Sequence, residues 1–164
     1  MFTRKEMLNI RYSVFNLFEE RSYVAWREPG RCVLIDPGSE ADRLLRVMKK
    51  KDFRLDAILL THGHFDHIGA VEELRKNLSI PVIMEENGKD YAEKPAWNLS
   101  ATFGGNYVLK DVTYKKDGDI IEFPEAPSLH LRLIHTPALP RVLQVKEMVC
   151  SSSWGSPTDA GTTE

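Results

Sequence analysis

Residues 57–70 read AILLTHGHFDHIGA, an apolar run that breaks into three histidines and an aspartate within the six positions 62–67. The whole chain has five histidines, so most of its imidazole sits in this one loop. Ala57 to Leu60 has the length and composition of a buried strand, and helical period begins near Ile68. The cluster therefore falls where a strand ends and a helix begins. In α/β folds that end of a strand is where sites form.

Imidazole nitrogen and carboxylate oxygen are the donors that zinc and related ions take at about 2.0–2.2 Å. His62 and His64, two apart in a loop, can turn toward one ion, and Asp66 and His67 can reach a second ion beside it. A carboxylate between metals, here Asp66, can orient a bridging water, and metal binding brings that water's pKa down to about 7. Gly63 and Gly69 leave room for tight backbone around the loop. His130 lies on an alternating stretch and is expected to be solvated or hydrogen-bonded rather than ligating.

The rest of the chain sets the frame. Its 164 residues suit one domain with a sizeable core, and 42% hydrophobic with 28% charged residues is ordinary for a globular protein. A formal net charge of −2, with Lys and Arg scattered among Asp and Glu, argues against a nucleic-acid binder. No apolar run reaches the roughly 18–20 residues of a membrane span. Lys5, Glu6 and Arg11 interrupt the start of the chain, unlike a signal peptide, so a cytoplasmic location is expected. Cys32, inside the run CVLI, reads as a buried thiol on a strand rather than half of a disulfide.

Alternation at Ile10, Tyr12 and Val14, then YVAW (23–26), predicts two early strands. Pro29-Gly30 predicts a turn, CVLI (32–35) a strand, and Asp36-Pro37-Gly38 another turn. Ser39, with Asp42 three residues on, predicts a capped helix whose apolar side is Leu44, Leu45, Val47 and Met48 and whose end is Lys49 to Lys51. Ile68, Val71, Leu74 and Leu78 predict a second helix, stopped before Pro81. PVIM, DIIEF and LHLRLI (129–134) predict further strands, and residues 85–110 a long excursion with little period. Strands alternating with helices indicate α/β or α+β architecture with helices covering sheet faces.

The string T-H-x-H-x-D-H at 61–67 resembles the signature of the metallo-β-lactamase fold superfamily. VLIDPG (33–38), NLSATFGG (98–105), the DGD turn (117–119) and LIHTP (133–137) are similar to its glyoxalase II (hydroxyacylglutathione hydrolase)-like branch. The resemblance spans Ile10 to about Pro137. It implies an αββα sandwich, His62 and His64 in a first metal site, and Asp66 and His67 in a second. It also implies one or two zinc ions, with iron or manganese possible, and hydrolysis of a small-molecule thioester such as a hydroxyacyl-glutathione by metal-activated water, with no nucleic-acid or membrane partner. A mononuclear iron persulfide dioxygenase is the rival within the superfamily. A non-catalytic truncated product is the rival outside it.

The chain departs from the family after Pro137. Where the family continues H-T-P-G-H-[ST]-P-G-S, with the second His a ligand, this chain has HTPALPRVL, so the ligand position falls at Ala138 or Leu139. His135 matches the first, non-ligating His. No Gly-Asp pair and no histidine follow Pro137. Ala138 to Leu143 can be encoded GCA CTC CCC AGG GTC TTG, which one base later reads His-Ser-Pro-Gly-Ser. The expectation is therefore 1–137 as the N-terminal portion of a sandwich incomplete at its C-terminus. Residues 138–164 are then an out-of-frame, disordered tail, and activity is impaired by missing ligands.

Overall fold

Six strands build one mixed sheet. Asn9–Phe15 (β1), Glu20–Trp26 (β2) and Arg31–Ile35 (β3) pair antiparallel; Arg54–Leu60 (β4), Val82–Glu85 (β5) and Val112–Lys115 (β6) continue parallel to β3, in the order β1-β2-β3-β4-β5-β6. A second antiparallel sheet joins Ile120–Glu122 (β7), His130–Arg132 (β8) and Val149–Cys150 (β9). This computed structural model describes residues 9–15, 20–26, 30–127, 129–135 and 149–150. Pro29 and positions 138–148 and 151–164, on which parts of the turn and tail expectations fall, lie outside the described residues.

Strand alternation sorts the core into two layers. Leu34, Ile58, Leu60, Val82 and Met84 point to one face of the large sheet, where they meet Ala41, Leu44 and Met48 of helix α1 (Ala41–Lys50) and Val71 and Leu74 of helix α3 (Val71–Asn77). Val33, Ile35, Ala57, Leu59 and Ile83 point to the other face and meet Ile121, Phe123, Ala126, Leu129 and Leu131 of the second sheet and its connection. Each fully buried Leu, Ile or Val of these layers contributes roughly 1.5–3 kcal/mol. The result is a helix layer on two stacked sheets, the α/β sandwich expected from the sequence. Because β3, β4 and β5 are parallel, their C-terminal ends share one edge.

Cys32 is fully buried on β3, a free thiol as expected, 3.6 Å from the Arg54 carbonyl oxygen. Burial foremost, with help from the Asp56 carboxylate, pushes it up to about 12. Arg31 and Asp56 form a partly buried ion pair at the start of the neighbouring strands.

Two local expectations need correction. Glu40, not Ser39, caps α1, with left-handed backbone (φ 54) and no side-chain cap bond. Its carbonyl takes the Arg43 and Leu44 amides while its carboxylate pairs with Arg43, so the capping-box contact does not form and Asp42 acts only as a first-turn charge. The helix predicted from Ile68 is split into α2 (Phe65–Ile68) and α3, because the Ala70 amide donates to the Pro37 carbonyl instead of continuing the helix. Within the excursion at 85–110 lie helix α4 (Lys89–Glu93) and 3-10 turns at Glu86–Gly88 and Ser100–Phe103. No helix among the described residues is long and apolar enough to cross a membrane.

Candidate metal centre

β4 ends at Leu60, and the histidine loop leaves the sheet at the edge shared with Asp36 after β3 and Glu85 on β5. Asp36 organises the exit. Only 2% exposed, with φ 50, its carboxylate accepts the Thr61 amide (2.8 Å) and the Thr61 hydroxyl (2.6 Å). The Ser22 hydroxyl fixes its carbonyl from β2 at 2.8 Å.

Thr61 passes that order on to His62. Its one hydroxyl proton goes to the carboxylate, so the oxygen is an acceptor toward His62 Nδ1, 3.0 Å away. His62 therefore carries its proton on Nδ1 and a lone pair on Nε2. That nitrogen lies 3.1 Å from His64 Nδ1, with ring centroids 4.6 Å apart. His67 sits against His62 at 4.0 Å between centroids, its Nδ1 3.1 Å from Asp36 Oδ2 and its Nε2 3.7 Å from Asp66 Oδ2. The Asp36 contact is close but lacks hydrogen-bond geometry. The structure thus brings together the residues singled out at 62, 64, 66 and 67.

They gather as two pairs. Among the described residues no group of three or more His, Cys, Asp or Glu side chains stands around one point ready for an ion. Within the His62–His64 pair the spacing suits one, while Asp66 and His67 stand wider, at 3.7 Å. Two bonds of about 2.0–2.1 Å meeting near the tetrahedral angle hold their nitrogens about 3.3 Å apart, close to the 3.1 Å between His62 and His64. The proton shared by those nitrogens occupies the place a cation would take. The donor set therefore suits a divalent metal in kind, with two donors for each site.

Electrostatics favour the neutral ligand form. Burial first, then the imidazoles of His67 and His64, push His62 down to about 3 from its ordinary 6.5. Burial also lowers His64, although Asp66 opposes it. A depressed histidine binds its proton more readily in the unfolded chain, so protonation favours unfolding. The metal-free chain is expected to keep its full His62 contribution above pH 6.5 and to lose it progressively toward pH 3. Urea midpoints across that range should fall with pH, and His62→Gln should flatten the slope. An unchanged slope in the variant would show that His62 is not held neutral.

His130 and His135 stand elsewhere. His130 is half-buried on β8, and the His135 ring lies 3.6 Å from the buried Glu85 carboxylate, its amide donating to Asp117 Oδ1 at 2.8 Å. Ala138 and Leu139, where the family places a ligand, lie outside the described residues. Sequence reasoning passed over Asp36, Thr61 and Asn98 as site residues. A polar residue ending each of two apolar strands was the available signal for the first two. Asn98 is fully buried, its carbonyl accepts the Phe65 amide (2.9 Å), and its side chain bonds Tyr107 and Ser100, bracing the histidine loop from outside.

With this fold and loop in view, the class is defined: residues 17–141 match the Metallo-beta-lactamase superfamily model, and the chain belongs to that superfamily. It is 36% identical over 112 residues to a Bacillus subtilis (strain 168) protein named "Probable metallo-hydrolase YqgX", covering 65% of this chain and 50% of that one. It is 25% identical over 133 residues to the hydroxyacylglutathione hydrolase GloC of Haemophilus influenzae, covering 79% and 61%. Among solved structures, the BLEG-1 B3 metallo-beta-lactamase superposes with TM-score 0.70 at 29% identity over 79% of this chain and 62% of that one. A di-iron-bound form of TTHA1623 superposes with TM-score 0.64 at 28% identity, covering 77% and 61%. The chain thus spans 50% and 61% of the lengths of those two curated relatives.

Proposed function

We propose that this chain carries the metal-holding portion of a hydrolase that cleaves small thioesters, a hydroxyacyl-glutathione being the model substrate. The observation that carries the proposal is the facing pair His62 Nε2 and His64 Nδ1 at 3.1 Å, with Asp66 and His67 beside it. His62 and His64 would hold one ion and Asp66 and His67 a second. Zinc suits this imidazole-rich set; iron or manganese can use the same donors. Such an ion supplies acidification of water and polarisation of the thioester carbonyl.

This chain's own residues do the remainder. Asp36 and Thr61 keep the His62 lone pair aimed outward, and Asp36 steadies His67. The Asp66 carboxylate, with a quarter of its side chain exposed, orients the attacking water and takes its proton. The GloC name supports the thioester class, and the TTHA1623 title supports iron as a candidate. With Ala138 and Leu139 at the position of a third ligand, metal is expected to be held loosely and turnover to be slow. Residues 138–164 are then an out-of-frame tail, which codons unable to yield His-Ser-Pro-Gly-Ser would rule out.

The decisive experiment combines metal analysis with hydrolysis of S-lactoylglutathione by zinc-supplemented protein. Slow hydrolysis abolished by chelator is expected, with Asp66→Asn lowering the rate about a hundredfold. A rate indifferent to both chelator and Asp66→Asn would overturn the proposal.

A further inference from the structure

Of the six large apolar side chains that stand exposed among the described residues, four gather in one segment beside the histidine loop, the others being Val47 on α1 and Ile120 on β7. Trp97, Leu99, Phe103 and Tyr107 are 49%, 42%, 58% and 42% exposed, and all belong to the segment that Asn98 ties to the Phe65 amide. Ring contacts run from the site into this patch without a break. Tyr91 stands 5.5 Å from His64 and 5.6 Å from Trp97, and Phe65, between His64 and Asp66, stands 4.8 Å from Phe103. Gly63 allows this closeness: a Cβ there would come within 2.8 Å of the Tyr91 Cβ and 2.7 Å of the Ala92 amide nitrogen.

Leu99 adds an independent sign. Its φ of +67 is a left-handed conformation that a bulky side chain rarely adopts, and it holds an apolar residue out toward water. The Asn98 and Ser100 hydrogen bonds on either side keep it there. Strain of this kind gathers at ligand-contacting segments. Among the described residues the cation over the patch is Lys94, 5.1 Å from the Trp97 ring centre and 2.8 Å from Asp90. A ligand lying here would meet mainly aromatic and aliphatic surface.

We propose that Trp97, Leu99 and Phe103, backed by Phe65 and Tyr91, form a specificity wall that receives the apolar acyl part of the substrate, so that aryl-substituted acyl groups are preferred to acetyl. The proposal rests on the assignment of the His62–His67 loop as the hydrolytic centre. The rings run continuously from that loop, and beside them an exposed leucine is held in a strained conformation.

The test is binding of phenylacetate and acetate to the zinc-supplemented full chain by calorimetry, with the S-phenylacetyl and S-acetyl thioesters of N-acetylcysteamine assayed in parallel. Phenylacetate should bind at least about tenfold more tightly, the margin a well-filled apolar pocket provides. Phe103→Ala and Trp97→Ala, both at exposed positions, should each erase most of that margin without changing zinc content. Equal binding of the two acids overturns the wall, as does a margin that survives both substitutions. A concentration-dependent dimer broken by Phe103→Ala also overturns it, because a second copy would then cover the patch. Selective phenylacetate binding without hydrolysis of either thioester keeps the wall and removes the hydrolase assignment; equal hydrolysis of both keeps the assignment and removes the wall.

Discussion

Gly69→Ala should unfold or severely destabilise the chain, by about 3 kcal/mol or more. An ideal Cβ at position 69 would lie 2.3 Å from the Gly38 carbonyl oxygen and 3.2 Å from that of Phe65. Both obstacles are backbone, so no rotamer change can relieve them. The turn after β3 and the break between α2 and α3 would have to separate, which strips the Ala70 amide of its bond to Pro37. Asp36 stands two residues from that contact, so the histidine loop would lose its brace as well. Chemical denaturation with far-UV circular dichroism reads the effect directly. A variant as stable as the parent would mean that the Asp-Pro-Gly turn does not sit against the helix as described.

His62→Ala should reduce zinc affinity by more than about a hundredfold while leaving the metal-free fold intact. The substitution removes the one nitrogen whose lone pair the Asp36–Thr61 chain aims at His64. His62 is held well below its ordinary protonation range by burial, so its loss relieves a cost in acid rather than creating one at neutral pH. Thr61→Val separates aiming from ligation. It keeps the shape and the ligand, cuts the hydroxyl link, and should cost about ten- to a hundredfold in affinity, as loss of outer-shell partners does. Calorimetric or chelator-competition titration of both variants decides the matter. Zinc binding indifferent to His62 would dismiss the loop as a metal centre.

Much of this architecture can be read from residue pattern alone, for a physical reason. CVLI, AILL and VIM (82–84) are buried on both faces, so every side chain is apolar and the strands announce themselves. The donors at 62, 64, 66 and 67 are legible because imidazoles two and five apart have little other reason to share a loop. What stays hidden is tertiary. The break between α2 and α3 depends on the Pro37 carbonyl, thirty-three residues before the Ala70 amide that it accepts, and nothing local to Ile68–Leu78 records it. Nor does local propensity, which favours Ser39 as a cap, foretell the left-handed cap at Glu40. The aromatic segment at 97–107 lacks period because its order comes from one buried asparagine and the hydrogen bonds around it.

Cys32 gives this molecule an internal clock. A sulfur sealed in the third strand and held in its protonated form near neutrality cannot meet an alkylating reagent until the large sheet comes apart. The pace at which iodoacetamide marks that one peptide therefore counts openings of the central strands, and the slowing produced by added zinc would report how much of the fold the ion secures.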